Sequence, residues 1–551
     1  MLPTRMLPFL TNTYKRAVTT VSDNFLRMAR ILHQRMIDII METEIFILIA
    51  IYVIFTFTDR VPLPALIAMG LLGAARWWAT GRLTTATPMD IPVLAILTMM
   101  PVSLYASVDR ALSQPKFYGL ILAVAVFYIV VNAIHTIRRV QFATVALVLV
   151  SAAVAILGLV GTDWIPDKLF SWSQLYDHLP KLIQGPPRSL RGGFSTTGIG
   201  GTLVFLIPVL LSLLWSGRST TRIQRASNSR LLQIWWAWYR PILALSLLLT
   251  TFMLVLTQSR GSFLALSVGL LALAAWYDRR ALWAIPTMAL ILFALFKSGW
   301  EAQLTQFVLR SDPLAVQRRM EIWRRAIRMI RDFPYVGVGM GAFDTVVNTV
   351  YPSSINLALA RVTHAHNELL QVAVDLGIPG LVGYVALLTT FAVTAWRAYH
   401  ALDDRWLRAL IVGLACGMLA HQVFGLTDAF LLGTKPGVVM WVFMGLIAAL
   451  YVHRDSIAGQ LSGNGSMEAG REGDRGLEAG GSDEAGGGRL SSWSGTFLLA
   501  FGCWALFSLL AIAVVGDQPY LGLAIALAGG VVLGFVCMRR FESVTAQPSP
   551  D

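Results

Sequence analysis

Apolar stretches long enough to cross a bilayer as an α-helix, which takes roughly 17–25 residues, recur along this chain from about Thr43 to Arg539. Backbone in hydrocarbon has to satisfy its own polar groups, so spanning segments are helices or the strands of a closed barrel. Runs of this length, apolar on every face, are helices. The expected fold class is therefore all-α, a polytopic membrane helix bundle. Its spans are expected at about 44–58, 61–79, 90–107, 116–134, 141–162, 200–216, 241–258, 261–277, 281–297, 377–396, 407–427, 435–452, 494–515 and 519–538. The first twelve form a core and the last two a C-terminal pair. Composition agrees, since 56% of the 551 residues are hydrophobic and 14% charged, against about 45–50% and about 25% in soluble domains.

Charge sets the orientation. A net charge of +13 suggests nucleic acid in a soluble protein. Here the basic residues flank apolar spans, where they fix topology and meet anionic headgroups, so membrane lipid is the expected partner and nucleic acid is not. With the N-terminus inside, Arg76 and Arg82, Arg138 and Arg139, Arg218 to Arg230, Arg279 and Arg280, Arg397 to Arg408, Arg454, and Arg539 and Arg540 all fall in inside loops. Both termini are then cytoplasmic, and two long segments, about 163–199 and about 298–376, lie outside. The second is rich in Arg, but translocated loops longer than about 60 residues escape the charge rule.

Five regions follow from this layout. Residues 1–43 lack the features of a cleaved signal and read as a basic segment on the cytoplasmic surface. Residues 44–452 form the membrane domain. Residues 453–493, dominated by Gly, Ser and Glu, read as a disordered cytoplasmic linker; 494–540 carry the last helix pair and 541–551 a cytoplasmic tail. Cys416, Cys503 and Cys537 fall inside apolar stretches without ligand spacing and read as packing residues.

The orientation gathers the unusual polar groups on the outer face. Arg260, in Thr257-Gln258-Ser259-Arg260-Gly261, sits between two spans with almost no loop around it. A charge so close to hydrocarbon is costly unless it snorkels, pairs or lines a cavity. Arg188 and Arg191 occupy a stretch shaped by Gly and Pro, from Gly185 to Phe194. Two guanidinium forks there can hold phosphate oxygens bidentately, although an ordinary basic loop has the same composition. His364-Ala365-His366-Asn367-Glu368 precedes the tenth span. Two His one residue apart can ligate a metal, but no nearby Cys or carboxylate pattern completes the set, and no metal is expected. Either His can instead take a proton from a hydroxyl near neutral pH or serve as a hydrogen-bonded structural residue. Between Leu314 and Phe333, Arg318, Arg319, Arg324, Arg325, Arg328 and Arg331 interleave with apolar residues at helical spacing. Such an amphipathic helix either anchors at the interface or raises the local potential for an anionic, lipid-borne substrate.

Together these residues resemble the O-antigen ligase and polymerase superfamily over about 190–395. Three ordered elements carry the resemblance: the Thr257 to Gly261 turn, the run from Arg319-x3-Trp323 to Asp332-Phe333-Pro334-Tyr335-Val336-Gly337-Val338-Gly339, and His366-Asn367 followed by Gly377. The resemblance implies a twelve-span core with a long helical periplasmic loop in the bacterial inner membrane. It implies a polyprenyl-diphosphate-linked glycan as donor and a lipid core, a glycan or a protein as acceptor. It also implies His366 as the base for the acceptor hydroxyl and Arg260 and Arg191 as ligands of the diphosphate; Arg188, Arg319, Asn367 and His364 are read beside them as candidate substrate contacts. The family often has Pro-Asn shortly after the second Arg, where this chain has Phe194-Ser195-Thr196-Thr197-Gly198.

Diphosphate is already an activated leaving group, so the implied enzyme is a metal-independent glycosyltransferase of the ligase type without a cofactor. A repeat-unit polymerase and a protein O-oligosaccharyltransferase are alternatives within the class. A solute transporter is the alternative outside it, set back by the lack of an inverted repeat and by polar residues gathered at one face.

Overall fold

A computed structural model describes residues 63–164, 170, 172–179, 194–216, 230–300, 314–352, 362–430, 432–434, 436–462 and 485–545. They belong to two compact units, residues 1–54 with 62–85, and residues 55–61 with 86–551. In the first, the described helix is α1 (Leu63–Thr80). The second unit opens with α2 (Asp90–Ala106), α3 (Arg110–Ala133), α4 (Ile137–Gly161) and the short α5 (Ser173–Asp177). It continues through α6 (Thr196–Trp215), α7 (Arg230–Thr257), α8 (Arg260–Tyr277), α9 (Ala284–Lys297), α10 (Ala315–Asp332) and α11 (Phe343–Thr349). The remaining helices are α12 (Glu368–Ala401), α13 (Arg405–Gly425), α14 (Val438–Val452), α15 (Arg454–Ser462), α16 (Ala485–Val515) and α17 (Pro519–Thr545). Among the described residues, extended structure is confined to one parallel pair, β1 (Thr162–Asp163) with β2 (Phe194–Ser195).

The chain is thus an all-α polytopic membrane bundle. Every expected span after the first coincides with a helix, while 44–58 lies outside the described residues. Among the described residues, ten helices are long and apolar enough to cross a membrane, and Val438–Val452 with Arg454–Leu461, bent by 66°, makes up to eleven. Several helices begin well ahead of their apolar runs because side-chain caps set the ends. Asp109 starts α3 by accepting from the N–H groups of Ala111 and Leu112 at 3.0 and 3.2 Å. Asn367 starts α12 nine residues before the expected span by accepting from the N–H of Leu370 at 3.1 Å. Residues 454–462 are helical and the last helix pair begins at Ala485; the stretch between them lies outside the described residues.

The Gly-rich motif after α10 and the glycine of α12 are two halves of one joint. Gly377 interrupts α12 at φ 72° and ψ −178°, a conformation favourable only to glycine. The Val338 N–H donates to Val374 O and the Ile378 N–H to Pro334 O, both at 2.8 Å, so the loop after α10 is stitched into the break. A Cβ on Gly377 would lie 2.6 Å from Tyr335 O, and one on Gly337 would collide with Val374 O. Pro379 has no N–H for the carbonyl of Asp375 four residues earlier. Ser103 Oγ donates to that carbonyl instead, at 2.6 Å.

On α10, Ile322, Ala326, Met329 and Ile330 face inward and pack in one core with Val374, Ile378, Leu381 and Val382 of α12. Ala511, Ile512, Val515 and Leu533 of the C-terminal pair belong to the same core. Trp504 Nε1–H also donates to Pro379 O at 2.9 Å, so the C-terminal pair buttresses the broken helix directly. Arg325, 2% exposed, is turned inward from the basic helix. It donates to Tyr351 O through Nε at 2.6 Å and to Val347 O through Nη2. That Arg of the basic helix therefore secures the loop, while Arg319, Arg324, Arg328 and Arg331 stay on the exposed side.

Candidate functional site

The starts of α6, α8 and α12 meet the end of α13 at one end of the bundle. Gly200 packs against Ser262, Gly261 against Thr427, and Gly425 against Glu368, each without room for a Cβ. Glu368, the first residue of α12, is buried and accepts from Tyr384 O–H at 2.8 Å through Oε1. Its Oε2 lies 3.4 Å from Nε2 of the buried His421, whose ring stacks on Phe205 at 4.0 Å. A carboxylate in the first turn is favoured by the positive end of the helix, and this one ties α12 to α13 beneath the surface turn.

Above it, residues 364–367 form a rigid turn. The N–H of buried Ala365 donates to Gln371 Oε1 at 2.7 Å, and Gln371 Nε2 donates to Asp375 Oδ1 at 2.9 Å. With Ala365 turned inward, His364 and His366 fall side by side, their ring centroids 4.1 Å apart. Both point at Asp428, three residues beyond α13. His364 Nε2 is 2.7 Å and His366 Nδ1 3.2 Å from the same Oδ1, which also accepts from the Ala429 N–H at 2.9 Å. The side chains of His364, His366 and Asp428 are 23%, 32% and 15% exposed, so the cluster opens to the surface.

Burial raises the pKa of Asp428, but hydrogen bonds from His364 and His366, and their charge when protonated, outweigh it and hold the carboxyl below its usual range. The carboxylate is therefore ionised and accepts only. In the neutral rings the proton of His366 then sits on Nδ1 and that of His364 on Nε2, assignments made from the hydrogen-bond partners. His366 Nε2 keeps its lone pair and has no hydrogen-bond partner among the described residues. His364 Nδ1 faces Thr363 Oγ1 at 2.9 Å.

The Arg260 turn joins the same surface. Arg260 is half-buried at the start of α8, and Ser259 caps that helix by accepting from Ser262 N–H at 3.4 Å and Ser262 Oγ–H at 2.8 Å. The contact of Gly261 with Thr427 places the turn beside the residue preceding Asp428. The N-terminal end of α8, with Arg260 as its first residue, is a setting suited to an anion. Among the described residues, the non-glycine positions with positive φ are Gln258 at 48° and His366 at 50°. Each costs of order 1–3 kcal/mol of backbone strain, which persists where the surroundings over-determine it. Gln258 is over-determined: its Oε1 accepts from Phe170 N–H at 2.8 Å, and its Nε2 donates to Phe170 O at 3.2 Å and Tyr176 Oη at 2.6 Å.

Of the residues singled out in the sequence, His364, His366 and Asn367 share one turn, and Arg260 adjoins it through Thr427. Arg319 is exposed on α10, and no described hydrogen bond or ion pair links it to the cluster. Arg188 and Arg191 lie outside the described residues. Sequence reasoning missed Asp428, which completes the set that the two His lacked. Its signal was positional, an acid in a short loop on the same expected face as His366.

Residues 245–385 match the family described as O-antigen ligase. The chain resembles the O-antigen ligase superfamily. It is 29% identical over 232 residues to an O-antigen ligase of Pseudomonas aeruginosa, an overlap that covers 40% of this chain and 51% of the relative. The chain thus spans about half the length of the curated relative it matches. The region matched to the O-antigen ligase family contains Arg260, the joint at Gly377, His364 and His366, whereas Asp428 lies beyond it.

Proposed function

We propose that this chain is a membrane glycosyltransferase of polysaccharide biosynthesis, O-antigen ligase-like, that moves a glycan from a polyprenyl diphosphate to an acceptor hydroxyl. The observation that carries the reading is the His366–Asp428 pair, a ring held by a carboxylate through Nδ1 on a side chain that is 32% exposed. That is the relation of a general base to its orienting acid. His366 Nε2 takes the proton of the acceptor hydroxyl as the oxygen attacks the anomeric carbon. The bond from that carbon to the diphosphate oxygen breaks, and its electron pair leaves with polyprenyl diphosphate.

Arg260 and the start of α8 stabilise the charge that grows on the leaving group, with Arg191 and Arg188 as further ligands of the phosphates. Asn367 positions the base by starting α12, and His364 shares its carboxylate. The proton ends on His366, where Asp428 stabilises the resulting cation until solvent removes it. This chemistry belongs on the periplasmic face of the bacterial inner membrane, with both termini cytoplasmic and the lipid half of the donor in the bilayer. The acceptor is a lipid core, a growing glycan or a protein, each a variant of the same transfer.

Replacing the chromosomal copy with His366→Ala tests the reading in cells. Glycan should remain on the carrier lipid while its acceptor stays bare. Normal acceptor glycosylation at normal protein level would remove His366 as the base.

A further inference from the structure

His364, His366 and Asp428 each offer one ligand atom, all within 4.8 Å of one another. Two imidazoles and a carboxylate form a donor set suited to zinc and related transition dications. Tetrahedral zinc has bonds of about 2.0–2.1 Å, which separates neighbouring ligand atoms by roughly 3.3 Å. Asp428 Oδ1 already lies 2.7 Å from His364 Nε2 and 3.2 Å from His366 Nδ1, so an ion between them needs an opening of about 0.6 Å on the His364 side and about 0.1 Å on the His366 side. A metal-bound His usually has its second nitrogen held by an outer partner, and Thr363 Oγ1 is 2.9 Å from His364 Nδ1. Three protein ligands leave a fourth position open, on the side where His366 is 32% exposed.

We propose that His364, His366 and Asp428 form a binding site for a zinc-class dication, and that its occupancy switches the site off. The second half rests on the reading of His366 as the base. A dication bound at His366 Nδ1 takes the lone pair of that nitrogen, and the single proton of the neutral ring moves to Nε2. The nitrogen that accepts the hydroxyl proton in the metal-free state then becomes a donor. In His364 the proton moves likewise from Nε2 to Nδ1, where it can donate to Thr363 Oγ1. No proton is gained or lost by the two neutral rings. Asp428 exchanges its two imidazole N–H partners for one metal bond.

The test uses the full chain in detergent with any polyhistidine tag removed, stripped by a chelator and titrated with Co2+ alone. Visible d–d absorption of tetrahedral Co2+ should saturate at one equivalent and bleach on adding Zn2+. Separate His364→Ala and Asp428→Asn chains with wild-type melting should lose the band. Absence of the band in the wild-type chain, or its survival in both variants, overturns the site and leaves the base assignment standing on its own. With the binding band in place, saturating Zn2+ should lower glycan transfer by about 100-fold or more, the contribution of a general base, and chelation should restore it. Full transfer by the zinc-saturated chain overturns the switch, and His366→Ala measured alongside decides the base assignment separately, since loss of transfer in that variant leaves the base in place and full transfer removes it.

Discussion

Asp428→Asn separates the charge of the carboxylate from its shape. Both rings contact the same Oδ1, so an Asn oxygen placed there can accept from both and preserve the two tautomers. What disappears is the negative charge facing His366 Nδ1 across 3.2 Å, in a pocket that is partly open to solvent. Hydrogen bonds to charged groups contribute about 1.5–3 kcal/mol. At about 1.36 kcal/mol per tenfold, that corresponds to a fall in kcat of about 10- to 150-fold. A triad in which the same substitution imposes the wrong tautomer loses about 10⁴; the shared oxygen makes the smaller loss the expectation here. The assay is steady-state transfer from a polyprenyl-diphosphate glycan by purified protein, with donor and acceptor varied separately. The orienting carboxylate acts on the base, so the loss belongs in kcat. A kcat within about threefold of wild type, or a loss confined to the donor KM, would refute the reasoning.

Arg260→Lys keeps a charge but removes the planar fork, and transfer should fall with a raised donor KM because Lys cannot hold a diphosphate bidentately; titration of the donor checks it. Gly377→Ala places a side chain at φ 72° and 2.6 Å from Tyr335 O. Melting of the purified protein should fall by an amount reflecting more than about 1–2 kcal/mol. Ser103→Ala leaves the Asp375 carbonyl without its donor and the Met340 N–H without its acceptor at 3.1 Å. It should lower stability by about 1–3 kcal/mol for each group stranded while the transfer rate of the folded fraction stays unchanged, read from a denaturation curve and activity per folded protein.

The bundle was legible because bilayer thickness imposes one length scale on every span, and that scale is visible in a single sequence. The ends were less so. Hydropathy places the start of the tenth span at Gly377, whereas Asn367 begins the helix nine residues earlier and the apparent start is a glycine break inside it. The motif from Asp332 to Gly339 reads in the sequence as part of a functional signature, yet Gly337 lies against Val374 O and Gly339 against Ser107, while Val338 N–H and Pro334 O make the docking bonds to Val374 and Ile378. Arg325 and Arg319 look alike in a helical repeat, and only packing decides that the first is buried and the second exposed. Asp428 lies 62 residues from His366. No local pattern joins them, because the path between runs up one helix and down the next.

The central claim is that His366 takes the proton of the acceptor. Single-turnover transfer by the purified chain in proteoliposomes, wild type against His366→Ala with matched melting and matched donor binding, measures that step directly. The account predicts a loss of about 100-fold or more in the rate, the contribution of a general base, with exogenous imidazole restoring part of it. A variant that transfers within about threefold of wild type, or loses only donor binding, would contradict it.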